Sequence, residues 1–597
     1  MREWTIIRKL LPLLQLHRWG FPAIVVLGLL RSLSEGIGIG LFIPLLNLVV
    51  GRQPQAPGRM VSALDMLFRR VPADRRLAVI VLCLFVAVLT SAVLAYAHGI
   101  VFAWLDGRIG DQLRGRLFRQ LLRVPFGFIE RDRSGHLLNV LGTETWRTSE
   151  ALKNLVRLTV DASTIAVYVG LLLLLSWRLT VLVAGALLCI SLGIRALTRG
   201  VRESGENATR ANSELGGLMV EGIEGMRVIR AFGREPDEQR RFERCSARVR
   251  SAFFRMHLLE EAVHPVHDLL AGVLLLSILF ATARSGSDVS TLFVFAFVLY
   301  RLQPRVKDAD AARVRLVALS PSVEEVVSLL DATARQPLVS GTVVQPAPER
   351  AIAFEHVTFR YDNTDEPALV DASFRIPANK TTALVGLSGG GKSTVIKLIL
   401  RFDDPTAGAI LADGRPLPEL DLAAWRSQLA LVSQDVYLFN ASVRENIAYG
   451  RLDASLAEVI EAARKADAHG FIERLPHGYD TVLGPRGVRL SGGQQQRISL
   501  ARAIVRDPGV LILDEATNAL DSVSEHWIQQ TLDELRERRT VIMIAHRLST
   551  IERADQIIVL GQGRVLEQGT PSELIPAGGL FSQLYELQHR ATPVHHA

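Results

Sequence analysis

The sequence predicts two folds in one chain: an all-α membrane domain of six spans, then an α/β domain built on a parallel sheet. Three observations point there. Six apolar runs precede residue 305, most of them near the ~20 residues that cross a hydrocarbon core as helix. Two long segments between those runs are rich in arginine. After residue 350, short β-branched runs alternate with helical patterns, which is how parallel strands joined by crossover helices read.

The bulk numbers agree. At 597 residues the chain exceeds one ordinary domain. Apolar residues make up 49% and the mean hydropathy is +0.23, high for a water-soluble protein of this size. The net charge of +7 comes mostly from arginine. Arginine beside apolar runs marks cytoplasmic membrane loops more often than a nucleic-acid surface, so no nucleic-acid partner is expected. Cys83, Cys189 and Cys245 are odd in number and lack ligand spacing, which argues against a disulfide framework or a zinc site. Arg2, Arg8 and Lys9 precede the first apolar stretch without a small-residue cleavage site, so that stretch reads as a retained span and not a signal peptide.

The candidate spans are 21–50, 77–105, 158–176, 179–198, 267–284 and 288–303. Only Trp177 and Arg178 separate the third from the fourth, which makes a tight external hairpin. The segments 106–157 and 199–266 carry Arg114, Arg116, Arg119 and Arg123, and Arg227, Arg230, Arg234, Arg240 and Arg241. The positive-inside rule places both segments, and the N-terminus, in the cytoplasm. The loop at 51–76 is expected outside although it holds Arg52, Arg59, Arg69, Arg70, Arg75 and Arg76; the two longer segments outweigh it. Few prolines interrupt those segments, so the membrane helices are expected to run on into the cytoplasm. The expected division is a membrane domain at 1–325, a linker at 326–349 with Pro337, Pro346 and Pro348, the α/β domain at 350–585 and a tail at 586–597. His595 and His596 in that tail are not read as a metal site.

The chemistry concentrates in the second half. Gly386-Leu387-Ser388-Gly389-Gly390-Gly391-Lys392-Ser393 follows a predicted strand and opens a predicted helix, the context that distinguishes a phosphate-binding loop from a chance glycine-rich turn. Glycines let backbone N–H groups turn inward around phosphate oxygens, and the helix N-terminus adds a favourable field. Lys392 is expected on the β- and γ-phosphates and Ser393 on Mg²⁺; Thr394 follows as a further nucleotide contact. The run Val510–Leu513 is an apolar strand that ends in Asp514 and Glu515. Asp514 is expected to hold Mg²⁺ through water and Glu515 to polarise the attacking water. On their own, two acids at a strand end could equally be solvated; beside a phosphate loop they read as catalytic.

Leu490-Ser491-Gly492-Gly493-Gln494-Gln495-Gln496-Arg497 resembles the signature of ATP-binding cassette (ABC) proteins, which other phosphate-loop ATPases lack. Further landmarks of that family occur in order. Tyr361, in a polar turn, resembles the aromatic that stacks on adenine. Gln434 resembles the glutamine that touches Mg²⁺ and the attacking water. Asp521 falls in the loop after the acidic strand, and His546 matches the histidine that contacts the γ-phosphate. In this family the signature of one subunit completes the ATP site of the other. The resemblance therefore implies a head-to-tail dimer, most simply a homodimer, with ATP and Mg²⁺ between the cassettes.

The first half is similar to exporters of the multidrug and lipid (MsbA-like) type. Phe128–Leu138 resembles their first coupling-helix region, and Glu221–Arg234 resembles the segment after their second. Pro485 stands where those proteins usually have an acid. The resemblance implies the type IV exporter fold: a six-helix membrane domain fused to an α/β phosphate-loop nucleotide-binding domain. It implies a multi-pass protein of the bacterial inner membrane with a cytoplasmic cassette. Ser32–Gly40, with Glu35 inside the first span, and Leu299–Val306 resemble exporters of surface polysaccharide and lipid-linked oligosaccharide. An intramembrane acid is a functional candidate, or else a structural partner of Arg31. The expected cargo is amphipathic or lipid-linked, with hydrophobic drugs as an alternative. A channel on the same fold is the alternative to a pump; a soluble cassette ATPase would lack the spans.

Overall fold

A chain in hydrocarbon must satisfy its own backbone hydrogen bonds, and the apolar runs accordingly fold as helices. The computed structural model describes residues 6–10, 12, 19–50, 71–131, 134–175, 177–285, 289–335, 337–362, 364–514, 539–544 and 551–591. These residues form two compact units, one of Met1–Val124 and Asp132–Gln336, the other of Pro125–Arg131 and Pro337–Ala597.

The first unit is helical. Its elements are α1 (Gly20–Val50), α2 (Ala73–Leu121), then, after α3 (Phe126–Arg131) of the second unit, α4 (Ser134–Asn139), α5 (Thr145–Leu175), α6 (Trp177–Leu197), α7 (Val201–Glu224), α8 (Met226–Ala231), α9 (Glu235–Glu261), α10 (Val263–Ser285), α11 (Val289–Ala318) and α12 (Ser320–Arg335). Helices α1, α2, α5, α6, α10 and α11 take up the six candidate spans, to within a residue at their ends. Among the described residues, four stretches are long and apolar enough to cross a membrane by length and composition, starting at Gly20, Asp74, Gly135 and Trp177. Residues 51–70 of the expected external loop lie outside the described residues. On α2 the most apolar window has a mean hydropathy of 3.0 and is only 11% buried, as a lipid-facing surface should be.

Small residues bring these helices together. A Cβ on Gly28 would meet Val160 at 2.9 Å, and one on Gly36 would meet Leu171 at 2.8 Å, so α1 lies close on α5. The Ser32 and Thr164 hydroxyls hydrogen-bond at 2.8 Å across that contact. Glu35 accepts from Arg31 (3.2 Å), Ser91 (3.3 Å) and Tyr168 (2.7 Å). The acid of the first span thus joins α1, α2 and α5, which favours the structural reading of it. Further along the chain, a single π-helical turn, Val140–Glu144, leads into α5. There the buried Arg147 reaches Glu144 at 3.4 Å, the Thr209 hydroxyl at 2.8 Å and the Phe253 ring at 5.5 Å.

Two boundaries differ from those expected. The stretch 326–335 is not linker, because α12 buries Val323, Val326, Leu329 and Leu330 in the helical unit. That i, i+3, i+6, i+7 spacing makes an amphipathic helix, which the polar composition around it obscures. The second unit resumes at Pro337, and Val343 bridges to Leu420. At the other end, α20 (Leu580–Ala591) runs past 585 with Phe581 fully buried.

The second unit has two sheets. Strands β1 (Ala351–Phe359), β2 (Leu369–Pro377), β4 (Ala407–Ala412) and β5 (Arg415–Pro416) form an antiparallel sheet in the order β2-β1-β4-β5. Strands β3 (Thr381–Val385), β6 (Leu429–Val432), β7 (Val510–Asp514), β8 (Thr540–Ile544), β9 (Gln556–Gly561) and β10 (Arg564–Gly569) form the other, in the order β10-β9-β3-β8-β7-β6. Its five strands from β9 to β6 are parallel. The helices that concern the site are α13 (Lys392–Ile399), α14 (Leu422–Ser427), α15 (Val443–Ala448), α16 (Leu456–Lys465), α17 (His469–Glu473) and α18 (Gly492–Val505); α19 (Pro571–Leu574) precedes α20. Buried Val459, Phe471, Ile472 and Ile498 give α16 to α18 a core continuous with one face of the parallel sheet.

Close helix contact makes a prediction. A Cβ on Gly205 of α7 would lie 2.2 Å from the Ala318 carbonyl oxygen, whereas one on Gly217 of the same helix meets nothing within 4 Å. Gly205→Ala should cost about 1–3 kcal/mol and visibly lower the melting temperature in detergent. Gly217→Ala should stay within about 1 kcal/mol of the parent. Equal melting temperatures for the two variants would contradict this packing.

Candidate active site

The site begins where β3 ends. All five residues of β3 are buried, and α13 opens at Lys392, leaving Gly386–Gly391 to turn between them. Gly386 has φ +145° and Gly391 φ +102°. A Cβ on Gly386 would sit 1.9 Å from the Leu560 carbonyl oxygen, and one on Gly391 would sit 2.8 Å from that of Ala368. Glycine is required at both for space as well as for conformation. Gly390 packs against the same Leu560 carbonyl, at 2.8 Å from a notional Cβ. Gly389 has φ +80° with open space around it, and Ser388 is exposed at the loop tip. Lys392 is buried and donates from Nζ to the carbonyls of Gly386 (2.8 Å) and Leu387 (3.0 Å). Its ammonium therefore stands inside the loop, and Ser393 is exposed beside it.

The parallel register gathers the other groups. Leu384 aligns with Ile544, Ile544 with Asp514, and Leu513 with Val432. The carboxyl ends of β3, β8, β7 and β6 thus form one edge. Open α/β sheets bind ligands along that edge. Gly386 follows the first strand, Asp514 closes the third and Gln434 lies two residues beyond the fourth. Glu515, Asp521 and His546 follow β7 and β8 in the chain and lie outside the described residues.

Tyr361 stands after β1. Its hydroxyl hydrogen-bonds the Thr394 hydroxyl at 3.1 Å, and its ring meets Phe359 edge-on, with centroids 4.9 Å apart. Thr394 therefore helps to set the aromatic while its neighbours Lys392 and Ser393 serve the loop. The signature residues open α18. Ser491 is its N-cap: the Ser491 amide donates to Gln494 Oε1 at 3.0 Å, and the Gln494 amide donates to Ser491 Oγ at 3.3 Å. This capping box puts Gly492 and Gly493 in the first turn of a 14-residue helix, where backbone N–H groups can receive an anion.

Ser393, Asp514 and Gln434 offer only oxygen donors of the hard kind. That set fits Mg²⁺, which takes few protein ligands and completes its shell with phosphate and water. Among the described residues no group of three or more His, Cys, Asp or Glu gathers for another metal.

The second unit also contains the displaced segment α3. The Phe126 amide donates to the Phe402 carbonyl at 2.8 Å, and the Gly127 amide to Asp403 Oδ1 at 3.1 Å. The two phenylalanine rings lie 5.2 Å apart. Burial pushes the Asp403 carboxyl above its ordinary range, against the opposing pull of the Gly127 amide. Sequence reasoning named the region around α3 but not Phe402, Asp403 or Lys397 opposite it. No motif marks them, and only the fold brings them together.

Comparison with known proteins places the chain. Residues 369–518 match the ABC transporter family and residues 39–303 the ABC transporter transmembrane region. The heterocyst differentiation ATP-binding protein HepA of Nostoc sp. is 37% identical over 573 residues, covering 95% of this chain and 93% of that protein. An ATP-dependent lipid A-core flippase of Escherichia coli is 33% identical over 600 residues, 98% of each. One from Chromobacterium violaceum is 37% identical over 491 residues, 81% of this chain and 84% of the other. A solved structure of a bacterial Atm1-family ABC exporter with ATP bound superposes with a TM-score of 0.80 at 27% identity, over 98% of this chain and 99% of that one.

The loop geometry predicts the outcome of one methyl group. Gly386→Ala should abolish nucleotide binding, because its Cβ and the Leu560 carbonyl cannot coexist. Gly389→Ala, strained only in φ, should keep measurable binding. Isothermal titration with ATP on the purified chain decides; wild-type affinity in Gly386→Ala would contradict the described loop.

Proposed function

This chain belongs to the ABC transporter family, and on that premise we propose that two copies form an exporter of an anionic, lipid-linked substrate at a bacterial inner membrane. Its ATPase is coupled to that transport. The relatives named as lipid A-core flippases support a lipid cargo. The observation that carries the reading is a cavity of about 390 Å³ in the helical unit. Four arginines, Arg31, Arg157, Arg305 and Arg315, line it with two aspartates, Asp161 and Asp308. Arg305 pairs with Asp161 at 3.6 Å. In the six-span topology Arg31, Asp161 and Arg305 lie toward the cytoplasmic ends of their spans, the depth of inner-leaflet headgroups. Cationic excess at that depth is costly unless an anion answers it, and guanidinium forks bind phosphate oxygens in pairs. Arg31 and Arg315 are already answered by Glu35 (3.2 Å) and Glu150 (2.6 Å), so Arg157, which lies over the Phe102 ring, is the group that a neutral hydrophobic drug would not engage.

The ATP site works as follows in this reading. Tyr361 stacks on the base, and the amides of Gly386–Gly391 hold the phosphate oxygens, with Ser388 and Thr394 beside them. Lys392 turns its ammonium from the loop carbonyls to the β- and γ-phosphates. Ser393, Gln434 and Asp514 would hold Mg²⁺, which would supply positive charge to offset the charge developing on the phosphates. Glu515 orients and polarises the lytic water, and His546 contacts the γ-phosphate. Ser491, Gly492, Gly493 and Gln494 of one copy close over the nucleotide of the other, and Asp521 is a further nucleotide-binding residue. One copy supplies one loop and one signature, so a homodimer has two competent sites.

Two outcomes are expected. Glu515→Gln should keep ATP binding and lose about 10²–10⁴-fold in hydrolysis, the usual worth of general-base assistance, whereas Lys392→Ala should weaken binding itself. In proteoliposomes, a lipid with a pyrophosphate headgroup should raise ATPase activity, and Arg157→Gln should reduce that stimulation several-fold without changing the basal rate. Equal stimulation by an uncharged lipid would overturn the anionic cargo, and near-parental hydrolysis by Glu515→Gln would overturn the assignment of the base.

A further inference from the structure

One lysine stands between the displaced segment and the aromatic at the base site. Lys397 lies on α13, five residues after Lys392. Its Nζ donates to both carboxylate oxygens of Glu130, each at 2.8 Å. The same Nζ is 5.2 Å from the centroid of the Tyr361 ring and 5.8 Å from that of Phe126. Burial opposes the charge, but Glu130 and Tyr361 outweigh it and hold the ammonium above its ordinary pKa. A second ion pair runs beside the first: Arg131 donates to Asp362 Oδ2 at 2.9 Å, on the residue next to Tyr361. On its other contacts Tyr361 is held by the Thr394 hydroxyl and the edge of Phe359. Lys397 belongs to neither the phosphate loop nor the signature, and nothing in the phosphate chemistry requires a cation there.

We propose that Lys397 is a positioning residue that ties Tyr361 to Glu130 of the coupling segment in the same chain, so that stacking of the base is transmitted toward the membrane helices. The proposal rests on the reading of Tyr361 as the base-stacking aromatic. An ammonium is attracted to the face of an aromatic ring by its quadrupole. A Tyr361 ring that settles against a base therefore carries the Lys397 ammonium with it, and Glu130 follows through two charge-assisted hydrogen bonds. By linkage, a shift of the coupling segment must change base affinity by the same factor. The effect is small enough to leave catalysis intact and large enough to measure, about three- to tenfold in ATP affinity.

The test uses the full chain in proteoliposomes, with kcat and KM for ATP measured with and without a pyrophosphate-headed lipid. Lys397→Ala and Glu130→Gln should each raise KM about three- to tenfold, keep basal kcat within about twofold and reduce stimulation by the lipid. Lys397→Arg should restore KM. The double variant should be no worse than either single one, because both break the same link. Glu130→Gln is nearly isosteric, so the outcome does not depend on whether Lys397→Ala folds. Tyr361→Ala separates the two ideas. If it raises KM while Lys397→Ala and Glu130→Gln do not, the proposal is overturned and base stacking stands. If Tyr361→Ala leaves KM unchanged, the reading of Tyr361 fails and the proposal with it. Additive losses in the double variant, or no rescue by arginine, also overturn it.

Discussion

The docking of Phe126–Arg131 on the cassette is the contact on which the rest of the molecule depends. These residues are flanked on both sides by chain of the helical unit, yet they pack as part of the other. Two backbone amides, those of Phe126 and Gly127, are spent on Phe402 and Asp403, and a ring pair seals them. Backbone hydrogen bonds are directional, so the segment is held in orientation as well as in place. The approach is close: a Cβ on Gly127 would lie 3.0 Å from Asp403 Oδ1, so the carboxylate would have to give by a few tenths of an ångström. On either side of this segment the chain continues into α2 and α4 of the helical unit.

The nucleotide site obeys a related constraint. Glycines 386 and 390 lie against one carbonyl, that of Leu560 on β9, so the loop is shaped by the neighbouring strand as much as by its own φ angles. The strand register then brings Asp514 and the approach to Gln434 to the same edge. In the helical unit the analogous problem is to keep charge inside apolar surroundings. Glu35 is answered by donors from three helices and Arg147 by Glu144 and Thr209. The arginine-lined cavity follows the same rule for three of its cations: Arg31, Arg305 and Arg315 pair with Glu35, Asp161 and Glu150, while Arg157 lies over the Phe102 ring. In the proposed function a phosphorylated headgroup would answer Arg157.

Much of this was legible in the sequence, for physical reasons. Spans are read from length and hydropathy because a bilayer admits little else. The phosphate loop is read from its glycines because side chains at positive φ with a carbonyl 1.9 Å away are not tolerated. What was not legible depends on distant partners. Pro337 and its neighbours suggested a linker that began too early, because α12 is amphipathic and its polar face dominated the composition. Glu35 could be weighed only as site or strut until Ser91 and Tyr168 were seen to reach it. Lys397 carries no motif, and its meaning comes from Glu130, 267 positions earlier in the chain. Glu515, Asp521 and His546 rest on family pattern and chain position, since they fall outside the described residues.

The central claim is that hydrolysis drives transport through the α3 contact. The most direct measurement records ATP hydrolysis and lipid translocation in the same proteoliposomes for the parent and for Phe126→Ala/Asp403→Ala. This account predicts that the variant still hydrolyses ATP, at a rate within a few-fold of the basal parent rate, while translocation per ATP falls at least about tenfold. An unchanged number of lipids moved per ATP would contradict it.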